Sequence, residues 1–166
     1  MPPLVAQSLF RCSSAQGANP GGQLAGMRLA LLDAGPAIAW LDANDPHHSA
    51  VREKMGGLAG RLVTTGAVVT EVMFFIQEAR EGASRLTDWL RRMRVDIIDC
   101  FDLGALRAAA LLMERYADAP MDYADATLVA CADKLNCGDI LTLDIRGFRT
   151  YRYQRNKKFH LLLQDG

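Results

Sequence analysis

The chain has 166 residues, 50% of them hydrophobic and 23% charged, enough for one domain with a substantial core and short for two. Nineteen basic and nineteen acidic residues give a formal net charge of zero, so bulk charge cannot hold nucleic acid and any such affinity needs a local patch. Apolar runs stay well below the ~18 residues of a membrane span, which excludes a spanning helix.

Residues 1–26 are rich in Gly, Ala, Ser, Gln and Pro, with Arg11 the only charge. They lack the basic start and long apolar centre of a secretory signal and read as a disordered N-terminal extension, or an upstream start, ahead of a domain over 27–166. Leu29 to Leu32 is a wholly apolar run that ends on Asp33, the pattern of a strand buried on both faces. Pro36 suits the first turn of a helix that continues over Ala37 to Asp42, and Asn44-Asp-Pro46 opens a second over His47 to Leu58. Leu62 to Thr64 reads as a strand and Ala67 to Arg80 as a helix with Val68, Val72, Phe75 and Ala79 on one stripe. A basic helix follows from Ala83 to Arg94, then a strand from Val95 to Asp99.

Asp102 is placed to cap a helix whose Leu103, Leu106, Ala110, Met113 and Ala117 form one stripe. After Pro120, Met121 to Asn136 is apolar on most sides and reads as a central helix. Asp139 to Leu143 is a second buried strand leading to Asp144, with Ile145 to Phe148 as a turn, and Phe159 to Leu163 is a last strand. Strands alternating with helices, without internal repeats, give a three-layer α/β/α domain with a mainly parallel central sheet. Cys12, Cys100, Cys131 and Cys137 lack Cys-x-x-Cys spacing and histidine company, so they read as buried thiols of a reducing cytosol.

The candidate chemistry lies in the carboxylates. Asp33 and Asp144, each closing a buried strand, serve equally well as turn or cap residues when taken singly. Glu71 lies in Val68-Val-Thr-Glu-Val-Met-Phe-Phe-Ile76, where an ionised carboxylate is costly unless a cation or several donors meet it; the helix dipole offers a second account. Asp122 and Asp125 share one face of a helix start, with Asp122 the natural N-cap and Asp125 the better candidate for chemistry, Asp122 helping. Together Asp33, Glu71, Asp125 and Asp144 can converge on one edge of a parallel sheet. Such a group repels itself unless a cation sits among them, and oxygen-only ligands favour Mg²⁺ or Mn²⁺.

The segments Leu31-Leu-Asp33 with Pro36-Ala-Ile-Ala39, Thr70-Glu71-Val72, Pro120-Met-Asp122-Tyr-Ala-Asp125-Ala-Thr-Leu-Val-Ala130 and Ile140-Leu-Thr142-Leu-Asp144, in that order, resemble the PIN-domain ribonucleases. Within them the chain is similar to the VapC toxins of bacterial toxin–antitoxin pairs. The resemblance implies a metal-binding quartet of Asp33, Glu71, Asp125 and Asp144, with Thr142 orienting carboxylates from behind. It also implies Mg²⁺-dependent hydrolysis of RNA by an activated water, leaving a 5′-phosphate and a 3′-hydroxyl. A small cognate antitoxin, a homodimer and a cytoplasmic location follow from the same resemblance. An apolar groove for the antitoxin can draw on Trp40, Leu41, Phe74 and Phe75, for which a core role is the competing expectation.

A basic run after Asp144 (Arg146, Arg149, Arg152, Arg155, Lys157, Lys158), interleaved with Phe148, Tyr151 and Tyr153, is suited to phosphates and unpaired bases, or to guarding an edge strand as a solvated loop. Of these, Arg146, Arg149 and Arg152 are the candidate RNA contacts. Arg85, Arg91, Arg92 and Arg94 read as an ordinary solvated face. A PIN-like RNA-binding or assembly module without catalysis is the alternative, which the complete set of acids argues against. A phospho-accepting receiver domain wants an acidic pair near the first strand and a late lysine; this chain has Asp33 alone and Arg146 instead.

Overall fold

A computed structural model describes residues 28–98 and 102–164. The extension over residues 1–26 and the readings of Cys12, Cys100 and Asp99 lie outside the described residues. The apolar run forms β1 (Leu29–Leu32), and Asp33 caps α1 (Ala34–Leu41), with Pro36 in its first turn. There follow α2 (His48–Gly56), β2 (Arg61–Thr65), α3 (Gly66–Ile76), α4 (Gly82–Arg92) and β3 (Asp96–Ile98). The second half holds α5 (Leu103–Arg115), α6 (Tyr123–Leu135), β4 (Asp139–Leu141), α7 (Ile145–Thr150), β5 (Arg152–Tyr153), β6 (Lys157–Lys158) and β7 (His160–Leu161).

The central sheet has the order β3-β2-β1-β4-β7 and every pairing in it is parallel, as expected for a doubly wound α/β domain. Leu31 stands beside Val63 on one side and Ile140 on the other, and all three are fully buried. The chain leaves β1 toward β2, whereas it leaves β4 toward the opposite edge. Connections that diverge from neighbouring strands open a crevice beyond their carboxyl ends, and here that crevice lies between β1 and β4. On the helical side, α6 is the central helix: Ala124, Ala126, Leu128, Val129, Cys131 and Ala132 are all buried, and it packs on α5, α3 and β2. Cys137 is also buried, and its thiol donates to the Leu29 carbonyl at 3.2 Å.

Three expectations are corrected. Most of the stripe expected on α5 faces outward: Leu103 is 81% exposed, Leu106 42%, and Ala110 and Ala117 are exposed as well, with Met113 alone of the five half-buried. The inward face carries Ala109, with Leu112, Met113 and Tyr116 half-buried. A helix apolar on most sides offers several stripes, and the one that packs on α6 is not the one the periodicity singles out. Helix α3 stops at Ile76 instead of Arg80 and buries only Val68 and Val72, leaving Phe74 68% and Phe75 60% exposed; their expected core role is therefore wrong. Finally, the turn expected at Ile145 to Phe148 is the helix α7, and the basic run beyond it closes into an antiparallel hairpin of β5 and β6, with Gln154 and Arg155 at positive φ.

The turn into β2 depends on one glycine. Gly60 has φ +146°, and a Cβ there would lie 2.4 Å from the Arg28 carbonyl oxygen, which accepts the Arg61 N–H at 2.9 Å. Gly60→Ala is expected to cost about 1–3 kcal/mol in urea unfolding. Gly56→Ala, whose Cβ would meet nothing within 4 Å, should leave stability unchanged or slightly raised.

Candidate active site

The crevice between β1 and β4 is an open cleft of about 590 Å³ whose walls include Asp33, Glu71, Asp122, Asp125 and Asp144. Each acid arrives on a different device. Asp33 ends β1, Glu71 sits midway along α3, Asp122 and Asp125 open α6, and Asp144 opens α7. Among the described residues, no Lys, Arg or His lines this cleft. A second hollow of about 490 Å³, between α3, α5 and α6, is walled largely by Ala67, Ile98, Ala105, Ala109 and Tyr123 and holds no carboxylate.

Every aspartate of the cleft is tied to the backbone that delivers it. Asp33 Oδ1 accepts the Ala34 N–H at 2.7 Å and Oδ2 accepts the Thr142 hydroxyl at 2.7 Å. The Thr142 oxygen in turn accepts the Asp144 N–H at 2.9 Å, so one buried hydroxyl joins the ends of β1 and β4. Asp122 and Asp125 form a reciprocal capping box: Asp122 Oδ1 accepts the Asp125 N–H at 2.8 Å, and Asp125 Oδ2 accepts the Asp122 N–H at 3.4 Å. Asp144 Oδ1 accepts the Gly147 N–H at 3.0 Å. Both acids of the α6 start therefore cap, and they differ in burial, Asp125 being half-buried and Asp122 exposed. Glu71 is half-buried as well, not enclosed by its apolar sequence neighbours, because α3 buries a single stripe and Glu71 faces the cleft.

Crowding and burial act together on these groups. Desolvation raises the Asp33 carboxyl above the usual aspartate range, repulsion from Asp122 and Asp144 adds to it, and the Thr142 and Ala34 hydrogen bonds oppose it. Asp125 is pushed up to about 7, first by desolvation and then by Asp122 and Asp33. Glu71 is raised for the same reasons, with Asp122 and Asp33 as its repelling neighbours. Among the described residues, no three His, Cys, Asp or Glu side chains stand close enough to share one metal ion. The acids line one cleft without converging on a single point. A carboxylate has about four lone-pair sites, so the observed hydrogen bonds leave acceptor capacity on each. An all-oxygen set facing one cleft, with no cationic side chain to neutralise it, fits a hard divalent cation.

Comparison with known proteins agrees with this architecture. The sequence pattern of the PIN domain matches residues 30–152. The chain belongs to the PIN-domain family. A relative in Mycobacterium tuberculosis, Ribonuclease VapC26, is 32% identical over 124 residues, which is 74% of this chain and 91% of that protein. The crystal structure of M. tuberculosis VapC20, described as a toxin cleaving the sarcin–ricin loop, superposes with a TM-score of 0.63 at 15% identity, covering 70% of this chain and 90% of that one. The expected resemblance to the VapC proteins and the α/β/α fold are thus both found.

On this PIN fold the basic run divides. Arg146 and Arg149 are exposed on α7, the helix that Asp144 caps. Arg152 turns back, its Nη1 donating to the carbonyls of Arg149, Thr150 and Tyr151 at 2.7–2.8 Å, so part of its guanidinium terminates α7. The hairpin tip packs at the far end of α6, with Gln154 on Asp133 and Lys157 Nζ 2.8 Å from Asn136 Oδ1. Asp133 lies about 12 Å farther along the α6 axis than Asp125, so Arg155, Lys157 and Lys158 do not flank the acids.

Sequence reasoning missed Tyr151. Its ring is fully buried, and its hydroxyl lies 3.0 Å from the Pro120 carbonyl oxygen and 3.3 Å from Asp125 Oδ2. An aromatic residue inside a basic run reads as a stacking surface, and only the α7 turn shows it pointing inward.

The raised Asp125 carboxyl carries a sign. It binds a proton more tightly folded than unfolded, so its contribution to stability is present at low pH and lost as pH rises through about 7. Metal-free protein is expected to melt at lower temperature at about pH 8 than at about pH 5, and Asp125→Asn to flatten that fall, as read by thermal unfolding in chelator.

Proposed function

We propose that this PIN-domain protein is a divalent-metal-dependent endoribonuclease, with Mg²⁺ as its ion and Mn²⁺ as a working substitute, and the toxin of a toxin–antitoxin pair. The observation that carries the reading is the cleft at the β1/β4 crevice, walled by five carboxylates and no basic side chain among the described residues. Asp33, Glu71, Asp125 and Asp144 would hold the ion, with Asp122 as a helper. The raised Asp33, Glu71 and Asp125 carboxyls supply the electrostatic reason to bind one. When bound, such an ion lowers the pKa of an attacking water and offsets charge on the scissile phosphate.

The chain's own residues set the rest of the reaction. Thr142 fixes Asp33 and orients the backbone of Asp144, so the two strand-end acids keep their spacing as charge changes in the cleft. No histidine lines the cleft, so no imidazole serves as general base there. Water entering in line with the departing 3′-oxygen leaves a 5′-phosphate and a 3′-hydroxyl. Arg146 and Arg149, exposed on the helix that Asp144 starts, reach phosphates flanking the cut; Arg152 adds the part of its guanidinium not engaged with α7.

The relatives' names, a ribonuclease and a toxin, support the toxin reading; a small antitoxin, a homodimer and a cytoplasmic location are part of the same proposal. Leu41 and Phe75 line a shallow groove of about 310 Å³ suited to an apolar antitoxin segment, whereas Trp40 packs at a tilt against the buried Trp89, with ring centroids 5.4 Å apart. No helix among the described residues is long and apolar enough to cross a membrane. The alternative of an RNA-binding or assembly module without catalysis is not favoured, since the cleft keeps its complete set of carboxylates.

Asp33→Asn and Asp144→Asn are each expected to keep the fold, lower Mg²⁺-dependent RNA cleavage by about a hundredfold or more, and relieve growth arrest on expression. Undiminished cleavage by either would overturn the assignment. Replacing both Arg146 and Arg149 with Ala should weaken RNA binding and shrink the slope of log K against log salt by about 0.7 for each phosphate no longer neutralised. An unchanged slope returns these arginines to the solvated surface.

A further inference from the structure

Tyr151 occupies an unusual position for a residue with no acidic or metal-binding chemistry of its own. It follows α7, and its N–H closes that helix on the Gly147 carbonyl at 2.9 Å. Its ring is held edge-on by Tyr116 and Phe148, with centroids 5.2 and 5.3 Å away. That packing fixes the ring, so the hydroxyl cannot retreat from the two acceptors it faces, Pro120 O and Asp125 Oδ2. A phenol has one hydrogen to donate, and an ionised carboxylate is a stronger acceptor than a neutral carbonyl.

Gly147 completes the arrangement. A Cβ on it would lie 2.0 Å from Asp144 Oδ2 and 2.9 Å from the Tyr151 hydroxyl oxygen. The Asp144 carboxylate and the Tyr151 hydroxyl therefore both lie where a side chain at this position would have to go, which only glycine leaves free. Tyr151, at the end of the helix that Asp144 caps, reaches from there to Asp125 on α6.

We propose that Tyr151 is a positioning residue: its hydroxyl sets the orientation of Asp125 relative to Asp144, so that two acids borne on separate helices face one ion. This rests on the metal-dependent reading of the cleft and deepens it. Thr142 joins Asp33 to the Asp144 backbone, and Tyr151, at the end of the helix that Asp144 caps, reaches Asp125. Glu71, on α3, is outside it.

The test uses the full chain and Mn²⁺ alone as the first probe. Tyr151→Phe keeps the ring and removes only the hydroxyl. Titration calorimetry with Mn²⁺ is expected to give about 10- to 100-fold weaker binding, the range for residues that orient metal ligands. Cleavage of a mixed-sequence single-stranded RNA pool should show a matching loss in kcat with KM for RNA unchanged. Tyr116→Phe removes a hydroxyl from the same aromatic cluster, one that accepts the Arg152 N–H at 3.1 Å and touches no acid, and should leave Mn²⁺ affinity as it was. Should the Phe variant fail to fold, Tyr151→Met, smaller but flexible enough to adapt to the vacated space, also lacks the hydroxyl and is expected to lose Mn²⁺ affinity in the same way. Mn²⁺ affinity and kcat unchanged in a folded Tyr151 variant, or an equal loss in Tyr116→Phe, would overturn the proposal. Asp125→Asn separates the two levels. If it binds Mn²⁺ and cleaves like the unaltered chain, the site reading itself fails; if it loses both while Tyr151→Phe does not, only the role of Tyr151 fails.

Discussion

Carboxylates gathered at the carboxyl edge of a parallel sheet repel one another and lose solvation, and the local architecture of this chain is organised around holding them there. Each aspartate is bound by the backbone of the element it introduces: Asp33 by α1, Asp122 and Asp125 by α6, Asp144 by α7. Capping thus does two things with one group. It satisfies N–H donors that a helix start leaves open, and it fixes each carboxylate at the crevice between β1 and β4 with acceptor capacity to spare. Two hydroxyls knit these capped starts into a unit, Thr142 between the strand ends and Tyr151 between the helices.

Because the same oxygens cap and face the cleft, fold and site share their energetics. Protonation of Asp125 near neutrality relieves repulsion in the cleft, and under the proposed reading a cation would relieve it without the proton. Among the described residues no three donors converge on one point.

Much of this was legible in the sequence. Strands buried on both faces need continuous apolar runs, so β1 and β4 announced themselves, and the aspartates closing them fixed which sheet edge mattered. Asp102 and Asp122 were legible as caps because an N-cap is a local device. What could not be read was which face of an apolar helix is buried. Helix α5 turns Ala109 inward and leaves Leu103 outside, a choice made by the approach of α6 and invisible to periodicity when several stripes are apolar. Glu71 suffered similarly: its apolar neighbours suggested burial, but only Val68 and Val72 are core, and the glutamate stands half-open at the cleft. Tyr151 was hidden by a different cause, since its partners Pro120 and Asp125 come from far back in the chain and nothing local marks an inward turn.

The division of the basic run has a consequence for how such a nuclease meets its substrate. With zero net charge and only Arg146 and Arg149 fully exposed on the acid-capped helix, few phosphates can be neutralised at once. Under the proposed reading, each phosphate neutralised would contribute only about 0.7 to the salt exponent on single strands, so the sequence-independent electrostatic share of RNA binding would be small. Discrimination among RNAs would then fall to the shape a particular RNA presents to the cleft.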